Sequence, residues 1–278
     1  MGTTKLAFLT IVLTYFLIVF GGYVASSESG MGCGPDWPLC NGEIIPDLKG
    51  DTLIEFGHRL IGAFLLALTL VLYVKMEKNY KKPAIKRLAL VMLGLLGLQL
   101  VMGAIVVFYH LPSVVITIHL LIAMVFLAIL IIFWRLDYPI KLKSTRIKNH
   151  LTYLILLILV TIGLGAYVKH QHYGLACGWF SCTQTFIPKT VPQIFQTIHR
   201  FLAAVSAVYF LYITYMIYKI DLSNLKIRFL LALFVMFAQL IIGIITIQSS
   251  ISISYAVLHL AGATLIFALI VEARTILR

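Results

Sequence analysis

Residues 54–65 read IEFGHRLIGAFL, and residues 195–206 read FQTIHRFLAAVS. Both stretches are apolar, yet each carries a histidine followed by an arginine. Working outward, GGYVASSES (21–29) falls beside GAYVKHQHY (165–173), GLQLVMGAIVV (97–107) beside FAQLIIGIITI (237–247), and VITIHLLIA (115–123) beside YAVLHLAGA (255–263). The intervals agree as well. His58 to Gln99 is 41 residues and His199 to Gln239 is 40, while Gln99 to His119 and Gln239 to His259 are both 20. Self-similarity at four landmarks marks an internal repeat, with residues 1–140 as one unit and 141–278 as the other.

Composition says what kind of unit this is. Of 278 residues, 61% are apolar and only 12% charged, with a mean hydropathy of +1.01. Soluble domains carry roughly 45–50% apolar and about 25% charged residues, so a soluble enzyme, a disordered chain and a nucleic-acid-binding protein are all excluded. A bilayer is crossed by about 20 apolar residues in a helix. Such spans lie near 6–24, 54–74, 88–108, 114–134, 150–169, 195–218, 229–248 and 254–273. The first continues through FGGYVASSESG without a small-residue cleavage site, and reads as a helix rather than a signal peptide. The expected fold is all-α and integral to the membrane. It has eight transmembrane helices, as two tandem four-helix bundles related by a pseudo-twofold axis along the membrane normal.

The formal charge of +12 is a matter of topology. All but five of the 22 Lys and Arg fall at Lys5, in the loops 75–87, 135–149 and 219–228, and at Arg274 and Arg278. The other five are Lys49, Arg59, Lys169, Lys189 and Arg200. Short basic loops stay in the cytoplasm, which puts both termini inside and the loops near 33–40 and 177–182 outside. The basic loops also suit weak attraction to anionic lipid.

Those outer loops hold all four cysteines, Cys33 and Cys40 in GMGCGPDWPLCNG and Cys177 and Cys182 in GLACGWFSCTQ. Two loop disulfides are the plain reading on an oxidising face; a cysteine-only zinc site bridging the loops is the alternative.

Four histidines, His58, His119, His199 and His259, lie one per even-numbered span near its outer end. Polar side chains inside a bilayer mark functional sites. Two imidazoles per unit, from non-adjacent helices, suit one six-coordinate haem iron held between them, whereas zinc would require further ligands at the same level. Arg59 and Arg200 follow two of these histidines and would either pair with haem propionates or snorkel to the headgroups. Gln99 and Gln239, each four residues before Gly103 or Gly243, suggest close helix packing with an amide hydrogen bond. His110, His150, His170 and His172 have no repeat partners and read as solvated. Trp37, Trp134 and Trp179 read as an interfacial belt.

The repeat breaks at one informative place. Glu55 lies three residues before His58, on the same helix face, while the residue three before His199 is Gln196. A carboxylate can take up a proton and glutamine cannot, which points to acid–base chemistry in the first unit and electron storage or transfer in the second. The alternative is that Glu55 caps the N-terminus of its helix.

Two four-helix repeats, E-x-x-H-R in the second helix, I-H-R in the sixth and late histidines in the fourth and eighth resemble heme A synthase of the bacterial type. The paired cysteines are similar to the subgroup that carries both pairs. The resemblance covers essentially the whole chain. It implies oxidation of a ring methyl of heme O to a formyl group, giving heme A for terminal oxidases, through two successive hydroxylations and loss of water. His58 and His119 would hold the substrate haem, with Glu55 as the catalytic carboxylate. His199 and His259 would ligate a resident heme b. Cys33–Cys40 would be the disulfide near the substrate, and Cys177–Cys182 the second. A heme O synthase and an unidentified electron acceptor would be partners in the bacterial plasma membrane. A diheme b-type cytochrome fed by quinol needs the same histidines but gives no reason for Glu55 opposite Gln196. A parallel-repeat transporter needs a midplane polar site, whereas the polar residues here cluster near the outer face.

Overall fold

The computed structural model describes residues 2–138, 145–179, 181–182, 187–219 and 223–277. Lys141, Lys143 and Arg278, counted above among the cations of the basic side, lie outside these. The described residues form eight helices and no extended sheet: α1 (Thr3–Ser26), α2 (Gly50–Asn79), α3 (Pro83–Phe108), α4 (Ser113–Arg135), α5 (Thr145–His170), α6 (Val191–Tyr218), α7 (Ser223–Gln248) and α8 (Ile253–Ile276). All eight are long and apolar enough to cross a membrane, as the eight apolar stretches predict. Helix α2 outruns its apolar core at both ends, starting at Gly50 and running on through Lys75 and Lys78 to Asn79. Good helix formers continue the ladder there after the apolar run has stopped. Proline occupies the first turn of α3 and of α6, where its missing N–H costs nothing, and Thr190 with Gln193 closes a capping box on α6.

The chain divides into two compact units, residues 1–134 and 135–278. In the first, α2 packs on α1 and α3, and Phe8 of α1 meets Trp134 of α4 at 5.0 Å between ring centroids. In the second, α5 packs on α6 and α8, and α7 on α6 and α8, so the four helices close on themselves. The turn between α3 and α4 puts His110 (φ 54°) and Leu111 (φ 62°) in the left-handed region; the turn between α7 and α8 does the same with Ser250 (φ 56°) and Ile251 (φ 60°). Each such residue costs roughly 1–2 kcal/mol. The turn is held by 2.8 Å bonds from Leu111 N–H to the Val106 carbonyl and from Ile251 N–H to the Thr246 carbonyl.

Lipid-facing and inward-facing surfaces follow from the side chains. Phe64, Phe201 and Phe234 are 60%, 65% and 75% exposed, which only a hydrocarbon surround makes favourable. Thr10, Thr14, Thr69, Thr161, Thr214 and Thr264 return their hydroxyls to the carbonyl four residues back, so no hydroxyl is left bare. The fourth helix of each unit is buried mainly in its second half, from Met124 to Phe133 in α4 and from Thr264 to Ile276 in α8. Packing is therefore densest toward the basic loops and looser at the histidine-bearing end.

At the dense end of the second unit, the buried carboxylate of Glu272 accepts from Arg135 at 2.6 Å and also from Arg228. Removing one member of such a cluster strands the others in low dielectric. Glu272→Ala is expected to lower stability by about 2–4 kcal/mol, seen as an earlier thermal unfolding midpoint in detergent. Glu77→Ala, which removes a half-exposed pair with Lys86, should cost under about 1 kcal/mol.

Candidate functional site

Each of the four histidines is set against a glycine of the preceding helix. A Cβ on Gly165 of α5 would lie 2.6 Å from His199 Cε1, and one on Gly243 of α7 would lie 2.9 Å from His259 Cε1. A Cβ on Gly21 of α1 would lie 3.1 Å from His58 Cε1, and one on Gly103 of α3 would lie 3.9 Å from His119 Cε1. Only a residue without a side chain lets the ring approach the neighbouring helix this closely at Gly165 and Gly243. The repeat alignment pairs Gly21 with Gly165 and Gly103 with Gly243. The first pair served there only as landmarks, because helix–helix distance is not written in one strand of sequence.

The ring nitrogens differ between units. His199 Nδ1 lies 3.0 Å from the Thr161 carbonyl oxygen. The Gln239 amide lies 3.0 Å from His259 Nδ1 and donates to the His259 carbonyl at 2.7 Å. Its counterpart Gln99 donates to the His119 carbonyl at 2.8 Å, the helix-packing bond its spacing predicts. Nδ1 of both His58 and His119 is buried without a hydrogen-bond partner. An orphaned buried imidazole nitrogen is costly in a bilayer unless the ring has work to do. Among the described residues no three His, Cys, Asp or Glu side chains gather as a metal site, so zinc lacks a ligand set. A haem supplies four nitrogens itself and needs only two further ligands, and two imidazoles per unit, each from its own helix, fit that requirement.

Glu55 is 4% exposed and fully engaged. Its Oε2 accepts the Cys33 N–H at 2.8 Å, and its Oε1 accepts from Arg59 at 2.5 Å. Arg59 also donates to the Leu39 carbonyl at 2.8 Å. One ion pair thus ties α2 to both arms of the loop closed by the Cys33–Cys40 disulfide. The loop is further seated on the start of α2 by Ser29 Oγ donating to Asp51 and Thr52 Oγ1 donating to the Gly32 carbonyl. There Gly32 meets the Asp51 backbone too closely for any Cβ.

In the second unit Gln196, 3% exposed, accepts the Cys177 N–H at 2.6 Å and donates to the Gly174 carbonyl, while Arg200 donates to the Cys177 carbonyl at 3.4 Å. The Cys177–Cys182 disulfide closes that loop. No cysteine is free, which removes the thiolates a zinc site would need.

Several expectations change. Glu55 does not cap its helix, since the N-cap is Lys49 and the acidic residue of the first turn is Asp51. Arg59 neither snorkels freely nor stands open for a propionate alone; two of its nitrogens are committed to Glu55 and Leu39. His150 is not solvated. It is half-buried, its Nδ1 lies 2.7 Å from the Tyr209 hydroxyl, and its ring meets Tyr209 and Tyr212 edge-on. His170, the last residue of α5, is likewise half-buried, whereas His110 and His172 are exposed. Sequence spacing could not reveal the His150 contact, because its tyrosines come from another helix.

Comparison with known proteins agrees with this geometry. The family model described as cytochrome oxidase assembly protein, COX15-CtaA, matches residues 4–271. A protein of Exiguobacterium sp. named heme A synthase is 30% identical over 77% of this chain and 74% of its own. Proteins of the same name from Macrococcus caseolyticus and Staphylococcus epidermidis are 28% and 29% identical, over 95% and 94% of this chain and 93% and 90% of theirs. A match across nearly every residue, with two disulfide-closed loops and eight spanning helices in place, makes this chain a member of the COX15-CtaA family of cytochrome oxidase assembly proteins.

Proposed function

We propose that this protein is a heme A synthase, an oxidoreductase that converts a ring methyl of heme O to a formyl group. The observation that carries the reading is the unequal pair Glu55 and Gln196. Both accept the amide of the first cysteine in their loop, but only Glu55 brings a proton-accepting carboxylate. On this reading chemistry belongs to the first unit, where His58 and His119 would hold the substrate haem. His199 and His259 would hold a heme b in the second unit, which when bound supplies one-electron transfer.

The residues of the first unit act on the substrate in stated ways. His58 and His119 would hold the substrate haem between α2 and α4, each offering an imidazole to its iron. Arg59 and the Cys33 amide hold the Glu55 carboxyl group in place, where it would take a proton from the methyl as electrons leave the substrate, or from the water that attacks it. Two such hydroxylations and loss of water from the gem-diol leave the formyl group. The electrons pass to an acceptor outside the chain. A membrane heme O synthase is the partner that supplies the substrate.

Support for the setting comes from the charges. The basic loops argue for a bacterial plasma membrane with both termini cytoplasmic and the cysteine loops and histidines toward the outer face. Reporter fusions at Gly2 and after Ala273 should both report the cytoplasm, and a fusion in the 41–48 loop the exterior.

The central test extracts non-covalent haems from protein made in cells that also make heme O, and identifies them by chromatography with mass spectrometry. Wild type should contain heme A or its hydroxylated precursor. Glu55→Gln, which copies the Gln196 hydrogen bonding and so keeps the loop seated, should lower that product by about 100-fold or more. Two unmodified b-type haems per chain in both proteins would put an electron carrier in place of the synthase. Turnover in heavy-oxygen water should label the hydroxylated precursor. Unlabelled product would defeat the water-attack route.

A further inference from the structure

The second unit contains a device that the first lacks. Thr161 and Gly165 lie four residues apart on α5, so the Thr161 carbonyl and the bare Gly165 backbone share one face of adjacent turns. His199 of α6 lies across that face, its Cε1 only 2.6 Å from where a Gly165 Cβ would be and its Nδ1 3.0 Å from the Thr161 carbonyl oxygen. A carbonyl oxygen only accepts, and it has a second lone pair beyond the one used by the helix. Nδ1 must therefore carry the proton, which leaves the Nε2 lone pair available.

We propose that Gly165 is a positioning residue for the haem of the second unit. By allowing His199 to lie against α5 it brings Nδ1–H to the Thr161 carbonyl, fixing both the tautomer and the ring plane for ligation through Nε2. The proposal rests on the reading of His199 as a haem ligand.

The first unit supplies the contrast. Gly21 stands where Gly165 does, but its Cβ position is 3.1 Å from His58 Cε1, and His58 Nδ1 reaches no carbonyl. Hydrogen bonding of the distal ring nitrogen orients a ligating histidine and raises its basicity. His199 is then a stiff, strongly donating ligand suited to a permanent haem. His58, whose Nδ1 has no such partner, is a ring less firmly oriented, suited to a haem that must be taken up and released.

The test measures haem bound at the second unit and its midpoint potential in purified full-length protein, for wild type, Gly165→Ala, His199→Ala and Gly97→Ala. Gly97 faces open space, and its variant controls for adding a methyl to a membrane helix. Gly165→Ala should weaken haem binding at the second unit by about 10–100-fold and shift that haem to a more positive potential, while Gly97→Ala changes neither. Unchanged affinity and potential in Gly165→Ala, with one haem lost in His199→Ala, would overturn the positioning role and leave the ligand assignment standing. Both haems retained in His199→Ala would remove the ligand reading and the proposal with it. Should Gly165→Ala not fold, nitrogen-15 spectra of histidine-labelled wild type decide. His199 protonated at Nδ1 sustains the proposal, and His199 protonated at Nε2 in haem-free protein ends it.

Discussion

A polar group inside a bilayer has no water to fall back on, so its partner must come from the protein or from what the protein binds. That constraint organises this chain. Threonine hydroxyls fold back on their own helices, Gln99 and Gln239 bond across to the next helix, and Glu272 is clasped by two arginines. Once these are accounted for, few buried side-chain polar atoms among the described residues are left over. Nδ1 of His58 and of His119 are among the buried atoms without a partner. The site stands out because the rest of the membrane interior has been made chemically quiet.

The same constraint explains how one architecture accommodates either a carboxylate or an amide at the same place. Both units use a helix-borne Glu or Gln to hold the amide of a disulfide loop, and an arginine one turn on to hold a loop carbonyl. Exchanging a carboxylate for an amide keeps that architecture. Gln196 satisfies a donor and an acceptor at once, which makes a static bolt. Glu55 can only accept, so it requires Arg59 as counter-charge. A buried ion pair is a poor source of stability compared with a neutral network, and its retention in one unit is better understood as chemistry than as structure.

Much of this was legible in the sequence because hydropathy and repeat spacing are one-dimensional signals. Eight spans, four histidines, the glutamines that bond across helices and the break at Glu55 all follow from what recurs at fixed intervals. What the spacing could not give were contacts between residues far apart in the chain. Glu55 finds the Cys33 amide 22 positions earlier, and His150 finds Tyr209 59 positions later. Gly21 and Gly165 were in the aligned strings throughout. Their significance depends on how far a neighbouring ring stands from the backbone, which differs between units although the letters do not.

The closure of the second unit through its first and last helices has a consequence for biogenesis. Thr152 of α5 is bonded to Arg274 of α8, 122 residues later, so this bundle is finished only when the final helix has left the ribosome. The first unit ends at residue 134. At about 5–20 residues per second, its last residue is made roughly 7–30 s before the chain is finished. During that interval the four helices of the first unit can pack on one another while those of the second are still being made.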